Sequence, residues 1–155
     1  MTVHEQRMCE LQADIFELSL KIFKCSSSYF IFRFMRSDVA KDIDVFDSQY
    51  NYYSPNNVMH MLKMSNLHLD DIEGKKYPLE VMRWIGYIYR AYQLITKKNS
   101  RDIYKILKAE TLLSLYNSFH TYSVEVCVSK IKEMLSESRP IDSDYELFKK
   151  IALSF

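Results

Sequence analysis

Glycine and proline are scarce in this sequence of 155 residues, which contains two glycines and three prolines. Sandwiches and barrels of β-strands normally use many turns that are rich in these residues, so their scarcity favours helices. Hydrophobic residues make up 48% of the chain and aromatic residues 14%. A chain with this much apolar surface can offset the loss of chain entropy on folding, which excludes a disordered protein.

Long apolar runs are also missing. No stretch approaches the roughly 20 apolar residues that a membrane-spanning helix needs. The N-terminus carries acidic residues from Glu5 onward and lacks the continuous apolar stretch of a signal peptide. We therefore expect a cytoplasmic protein.

Cysteine is sparse, with Cys9, Cys25 and Cys127 irregularly spaced. Cys9 and Cys25 lie near the two ends of one expected helix, about 24 Å apart, which is too far for a disulfide. We expect all three to be buried free thiols, as suits a reducing cytoplasm.

An excess of positive charge is lacking too, because 21 Lys and Arg residues face 20 Asp and Glu residues. Non-specific affinity for nucleic acid comes mainly from the neutralisation of phosphates by a broad basic field. Tight binding of this kind is therefore not expected, although a local basic patch remains open.

Apolar residues recur at three- and four-residue steps along most of the chain, which predicts amphipathic helices. The predicted helical segments cover residues 5–24, 29–43, 55–65, 78–98, 101–119, 124–136 and 142–153, and the segment over 101–119 bends near Lys108 between a short helix and a second one. Because there are no internal repeats and no long linker, we predict one all-α domain, a bundle of about six to seven helices over residues 1–155. Residues 28–135 would form its core, with 1–25 and 140–155 as flanking helices.

Three local signals refine this prediction. Ser54 followed by Pro55 predicts a helix start, and Ser100 is expected to cap a later helix. Gly86 lies in the middle of the helix over 78–98, where glycine costs up to about 1 kcal/mol relative to alanine. Close approach of a neighbouring helix usually compensates for this cost, so we expect a helix crossing at Gly86.

Arginine and tyrosine form the first candidate site. Arg83, Tyr87 and Arg90 share one helical face, and their guanidinium and phenol groups suit a phosphate, a carboxylate or an acidic partner. Alternatively, these arginines cover the outer face of the helix and pair with acids such as Glu80. Arg33 and Arg36, which interrupt an otherwise apolar helix and share a face with Tyr29, extend the set of cations.

His120 is the second candidate, at the boundary between two predicted helices. It is suited to act as a general base or proton shuttle, and equally to cap the last carbonyls of the preceding helix. No nucleophile is partnered to it by spacing. The four histidines are scattered, so we expect no metal site. With two glycines no phosphate-binding loop can form, and we expect no cofactor.

A basic cluster forms the third candidate, and it consists of Lys97, Lys98, Arg101, Lys105 and Lys108. The two helices predicted around it resemble a helix-turn-helix. However, the second helix, AETLLSLYNSF, carries no Arg, Lys or Gln to contact base edges. Nucleic-acid binding is therefore disfavoured and remains an alternative.

Tyrosine and methionine exceed what a core of this size requires. Tyrosine is enriched at protein interfaces because it buries area and keeps a polar tip, and methionine adds adaptable apolar surface. The surplus predicts a partner-binding surface. It consists of Tyr29, Tyr50, Tyr52, Tyr53, Tyr87, Tyr89 and Tyr92 with Met59, Met61 and Met64.

Several strings in residues 28–135 resemble a group of small bacterial proteins of unassigned mechanism. The shared motifs are FM-x-S-x-x-A, W-[IM]-G-Y-[IL]-Y-R and a YxSFHT-type helix end. The matching residues here are Phe34, Met35, Ser37, Ala40, Trp84, Gly86, Tyr87, Tyr89, Arg90, His120 and Thr121. Members of that group are encoded beside toxin-like genes. The resemblance implies a role in a toxin–antitoxin or phage-defence operon, as antitoxin or accessory subunit.

These observations favour a non-enzymatic protein-binding subunit that uses Arg90 as a charged anchor. Its expected partner is a protein, with a toxin as the candidate. The alternative is a small enzyme or ligand-binding protein that uses an Arg/Tyr/His pocket for an anionic, nucleotide-like ligand. It requires these side chains, from three helices, to point into one concavity. The candidate binding residues are Arg33, Arg36, Trp84, Tyr87, Arg90, His120 and Thr121.

Overall fold

The computed structural model describes residues 1–45 and 53–138, and every regular element in these two ranges is an α-helix. The expected all-α fold class is therefore confirmed. The described part of the chain holds eight helices, more than the six to seven expected. They are α1 (Val3–Ile22), α2 (Ser27–Met35), α3 (Asp38–Asp44), α4 (Pro55–Met64), α5 (Leu79–Thr96), α6 (Ser100–Ile106), α7 (Ala109–Phe119) and α8 (Val124–Ser138). The helix predicted over 142–153 lies outside the described residues.

Capping side chains explain where several helices begin. Ser54 accepts a hydrogen bond from the backbone of Asn57 at 3.2 Å and precedes Pro55, so α4 begins as expected. The start of α6 differs from the expectation by one residue. Asn99, not Ser100, is its cap, because the Asn99 Oδ1 atom accepts from the backbone of Asp102 at 2.8 Å.

The helix predicted over residues 29–43 is two helices, which accounts for part of the difference in number. Ser37 separates them: its Oγ atom donates to the Phe34 carbonyl at 2.7 Å and accepts from the Ala40 backbone at 3.1 Å. A serine in these two bonds ends α2 and caps α3. The following Asp38, in the first turn of α3, was the sequence signal for this break.

The central helix pair is α1 and α5, which cross at Gly86. A Cβ atom added at Gly86 would lie 2.7 Å from the Gln12 carbonyl oxygen and 2.9 Å from Cγ of Phe16. The crossing expected at Gly86 is therefore confirmed. The neighbour is α1, which we expected to flank residues 28–135. It contributes Cys9, Ile15 and Phe16 to the hydrophobic core.

Phenylalanine rings from α1 and α2 fill the middle of the core. Phe16 meets the edges of Phe30 and Phe34 with ring centroids 5.4 and 5.2 Å apart. Edge-to-face pairs of this kind add to the free energy gained by burying the rings. No helix in the described part of the chain is long and apolar enough to cross a membrane.

The three cysteines are buried and free, as predicted. Burial raises the pKa of the Cys9 thiol to about 12 and that of Cys127 to about 11. Because the thiolate is the reactive form, these side chains act as small hydrophobic residues of the core.

Most of the motif residues contribute to packing. Phe34, Met35 and Ala40 are buried around the break at Ser37, and Tyr89 is buried in α5. The Tyr89 hydroxyl donates to the Leu107 carbonyl at 2.8 Å, which ties α5 to the end of α6. In this chain these strings therefore mark helix junctions and crossings.

Candidate functional site

Arg90 lies in the interior, with its side chain 0% exposed. Its Nη1 atom donates to Asp44 Oδ1 at 2.6 Å and to Gln93 Oε1 at 3.1 Å, and its Nε atom donates to Gln12 Oε1 at 2.9 Å. The expected position of Arg90 as a surface anchor for a partner is therefore wrong. Gly86 was the signal that could have placed it, because Arg90 follows one turn later on the face that crosses α1.

The bonds around Arg90 connect four helices. Asp44, at the end of α3, accepts from the backbone of Ser100 at 2.7 Å and from its hydroxyl at 2.6 Å. Gln12 of α1 donates to the Gly86 carbonyl at 3.1 Å. Burial lowers the pKa of Arg90, and the nearby Asp44 carboxylate opposes that shift. The network satisfies a buried charge and fixes how α1, α3, α5 and α6 meet.

One atom of this network is unsatisfied. The Nη2 atom of Arg90 is buried and has no hydrogen-bond partner among the described residues. Most buried polar groups in proteins are paired with protein or with ordered water. Because the Nη2 atom lies inside the core network, where a partner cannot reach it, no binding role follows from it.

Arg83 and Tyr87 also face α1. Arg83 Nη1 donates to Asp14 at 2.6 Å and to Glu17 at 2.8 Å, and its Nη2 lies 3.4 Å from Glu10. The bond to Asp14 is the main cause that raises the pKa of Arg83. Arg83 is thus paired with acidic side chains, as the alternative interpretation expected. However, these acids belong to α1, and Glu80 is not among them.

Tyr87 is half-buried, and burial raises its pKa. Arg83, Tyr87 and Arg90 do share one face of α5, as predicted. That face is occupied by α1, so it does not present the three side chains to a ligand.

His120 and Trp84 meet at the end of α7 through Tyr116. The His120 Nδ1 atom lies 2.7 Å from the Tyr116 carbonyl oxygen, and the two rings stack with centroids 4.4 Å apart. The Trp84 ring meets the Tyr116 ring edge-on, with centroids 5.6 Å apart. His120 therefore caps α7, and Nδ1 must carry the proton for this bond. Thr121 is exposed in the next turn.

Arg33 and Arg36 occupy a different part of the molecule, beside the helix that carries the basic cluster. The Arg36 guanidinium lies 4.9 Å from the centroid of the Phe32 ring. Phe32 meets Tyr104 of α6 at 5.8 Å, and the Lys108 ammonium lies 4.7 Å from the Tyr104 ring. Two stacked cations and two aromatic rings therefore form a continuous row from α2 to the end of α6, with the cations at its two ends.

Two further arginines extend this arrangement. Arg33 lies 6.0 Å from the Tyr29 ring, and Arg101 Nη2 donates to the Arg36 carbonyl at 2.8 Å. We call this arrangement the α2–α6 surface. It consists of Tyr29, Phe32, Arg33, Arg36, Arg101, Tyr104 and Lys108.

The cations of the α2–α6 surface have no acidic partner within the described part of the chain. Within residues 1–45 and 53–138, none of its three arginines or Lys108 forms an ion pair, whereas neighbouring Lys105 pairs with Asp102 at 3.3 Å. Arg101 also lines a cavity of about 410 Å³, together with Lys41 and Asp38. These positive charges are available to an anionic partner.

Sequence spacing did not reveal the α2–α6 surface. In the sequence, Arg33 and Arg36 are some 70 residues away from the basic cluster. Only the contact between α2 and α6 brings these two arginines close to the cations of the cluster. Lys97 and Lys98 are exposed before the start of α6, away from Lys108 at its far end.

The expected tyrosine- and methionine-rich surface is only partly present. Tyr89, Tyr92 and Met59 are buried, which contradicts their expected exposure. Tyr53 and Met61 are half-buried, and Met64 is exposed at the end of α4. Tyr50 and Tyr52 lie outside the described residues.

The candidate side chains therefore lie in three different surroundings. These are the contacts between helices in and around the core, the end of α7, and the α2–α6 surface. In the part of the chain that the structure describes, no group of three or more His, Cys, Asp or Glu side chains is placed to hold a metal ion. Comparison with protein-family models, with curated proteins and with solved structures found no match to this chain. The α2–α6 surface is the candidate site on geometric grounds alone.

Proposed function

We propose that this protein is a non-enzymatic protein-binding subunit that holds an acidic region of its partner on the α2–α6 surface. The observation that carries the proposal is a set of cations beside aromatic rings, with Arg36 over Phe32 and Lys108 over Tyr104 and no acidic partner for either among the described residues. A guanidinium held over a ring loses less freedom on binding than a free one. Its planar donors suit the two oxygens of a carboxylate.

A protein fits this surface better than a nucleic acid does. The net charge of the chain is +1, so long-range attraction to a polyanion is small. Bases stack on open aromatic faces, whereas Arg36 and Lys108 cover Phe32 and Tyr104. Acidic side chains of a protein partner, in contrast, would bind the cations directly and do not require an open aromatic face.

The biological setting that we propose follows the motif resemblance. The subunit acts in the cytoplasm as antitoxin or accessory protein of a toxin–antitoxin or phage-defence operon. Its partner is then the product of a neighbouring gene, with the toxin as the first candidate. Under this proposal the structural motif residues maintain the helix junctions that hold α2 against α6.

The experiment is co-expression with the products of the neighbouring genes, followed by size-exclusion chromatography at micromolar concentration. We expect a stable complex that buries at least about 1,000 Å². The double variant Arg36→Glu with Lys108→Glu reverses two charges on the α2–α6 surface and should abolish co-elution. Lys97→Glu with Lys98→Glu makes the same change in net charge outside this surface and should leave the complex intact.

Three outcomes would contradict the proposal. The first is separate elution of the unaltered proteins, and the second is equal loss of the complex in both double variants. The third is co-purified nucleic acid whose binding falls steeply with salt, while no protein partner is retained. That result would favour the helix-turn-helix alternative, because such salt dependence reports phosphate neutralisation.

A further inference from the structure

The loop between α4 and α5 is fastened to the turn between α1 and α2. We call residues 66–77 the 66–77 loop. Three backbone hydrogen bonds join it to the turn: Cys25 N donates to Leu69 O at 3.0 Å, Ser27 N to Lys75 O at 3.0 Å, and Gly74 N to Lys24 O at 3.2 Å. A loop held this way at both ends has little freedom to lose when it binds a partner.

Side chains strengthen the same attachment. Lys76 Nζ donates to the carbonyls of Phe23 and Cys25 at 2.5 and 2.6 Å, and the Lys24 backbone donates to Asp70 at 2.9 Å. Lys76 thus satisfies two backbone carbonyls that follow the end of α1, and Asp70 satisfies the backbone N–H of Lys24.

Gly74 allows the close approach of loop and turn. A Cβ atom at Gly74 would lie 2.5 Å from Cβ of Ser26 and 2.7 Å from its backbone nitrogen. No other residue fits there without displacing the loop, because the nearest atoms belong to the turn and not to a flexible side-chain end.

A cavity of about 430 Å³ lies between the 66–77 loop and the turn, a size typical of ligand-binding pockets. Its lining combines apolar Ile72, Tyr29 and Cys25 with His68, Asp71 and Glu73. Ile72 is 78% exposed, and no other large hydrophobic side chain among the described residues is more exposed.

The lining carries two carboxylates, Asp71 and Glu73. The Asp71 Oδ2 atom lies at hydrogen-bond distance, 2.9 Å, from His68 Nδ1, and Glu73 has no ion pair among the described residues. Of the described residues that line the cavity, none is Lys or Arg. A ligand that fits here therefore combines an apolar group with a positive charge.

We propose that the 66–77 loop and this cavity form a second docking site, for a segment of a protein partner with an apolar side chain beside lysine or arginine. The apolar side chain enters the cavity and covers Ile72, and the cation meets Glu73 and Asp71. A polypeptide fits better than a small amine, because a small ligand in the cavity would cover only the side of Ile72 that lines it, whereas a longer segment also covers the rest of this exposed side chain. This inference does not depend on the proposed function, although Tyr29 borders both surfaces.

The test uses three fluorescein-labelled peptides, each with one central residue, leucine, phenylalanine or tryptophan, flanked by three lysines on either side. We expect at least one of them to bind the full chain with a Kd of roughly 100 µM or tighter in fluorescence anisotropy. Ile72→Ser should weaken that binding about tenfold, because the apolar contact is lost. Glu73→Lys should weaken it further by repelling the lysines.

Matched controls separate this site from the rest of the surface. Val3, which is 66% exposed at the start of α1, is changed by Val3→Ser, and Glu133→Lys reverses an exposed charge on α8. Both variants should bind the peptide normally. The double variant Arg36→Glu with Lys108→Glu should also bind it, so failure of the α2–α6 surface and failure of this site are distinguishable. Circular dichroism establishes that each variant is folded.

The proposal is overturned if none of the three peptides binds at millimolar concentration, or if Ile72→Ser and Glu73→Lys leave the binding unchanged. Equal weakening by Val3→Ser or Glu133→Lys would show non-specific association. Displacement of the peptide by n-hexylamine at an equal concentration would show a small-molecule site instead of a docking site for a polypeptide.

Discussion

The guanidinium of Arg90 and the carboxylate of Asp44 form an ion pair in the protein interior, with 2.6 Å between Nη1 and Oδ1. Arg90 lies on α5, yet its partner comes from the end of α3. The pair joins segments that are 46 residues apart. Its main role is to decide which arrangement of helices satisfies both charges.

Removing Arg90 alone should destabilise the protein strongly. Arg90→Met leaves the Asp44 carboxylate buried without its cation, and we expect a loss of about 3–5 kcal/mol in the free energy of unfolding. Adding Asp44→Asn should restore part of this loss, because no charge is then left unpaired. Urea denaturation measures both. Arg7→Ala, at an exposed position of α1, is the control and should change stability by less than about 0.5 kcal/mol. Full stability of Arg90→Met would contradict the buried pair.

Gly86→Ala should lower stability although alanine favours helices. The gain in helix propensity is about 1 kcal/mol, but the added methyl group would overlap Gln12 and Phe16 across the crossing. We expect a net loss of about 1–3 kcal/mol, as for other overpacked positions. The measurement is again urea denaturation, with Ser129→Ala at an exposed position of α8 as control. An increase in stability on Gly86→Ala would mean that α1 and α5 do not approach closely there.

The hydroxyl of Tyr89 should contribute measurably to stability. Tyr89→Phe removes its bond to the Leu107 carbonyl and leaves that buried acceptor unpaired, at a cost of about 1 kcal/mol. Tyr122→Phe removes the hydroxyl of an exposed tyrosine and should be neutral. The thermal unfolding midpoints of the two variants test this, and equal midpoints would argue against the bond between α5 and the end of α6.

The buried thiols should make stability depend on alkaline pH. An unfolded cysteine has a pKa of about 8.5, whereas burial raises the pKa of Cys9 to about 12 and that of Cys127 to about 11. Since the folded pKa lies above the unfolded value, this contribution is complete below about pH 8.5 and is lost as the pH rises toward 11–12. The free energy of unfolding should therefore fall between pH 8.5 and 10.5.

The double variant Cys9→Ala with Cys127→Ala should show a weaker dependence on pH over the same interval. At pH 8 the native protein should resist alkylation by iodoacetamide, and the protein unfolded in guanidinium should take up three groups, as counted by mass spectrometry. Rapid alkylation of the native protein would contradict the burial of the thiols.

Local information in the sequence determined most of the helices. The spacing of apolar residues, the Ser54–Pro55 start and the scarcity of glycine and proline predicted an all-helical chain, and the described helices agree with these predictions. Gly86 even indicated a helix crossing. Such features depend on interactions between residues a few positions apart, which are visible in one sequence.

Tertiary structure alone decided what the polar residues do. Periodicity places Arg83 and Arg90 on one face of α5, but it does not say which helix covers that face or which acids that helix carries. The α2–α6 surface likewise exists only because Phe32 meets Tyr104. An arginine on a helix is equally compatible with solvent, a partner or a buried carboxylate. The choice depends on the free energy of contacts between segments far apart in the chain.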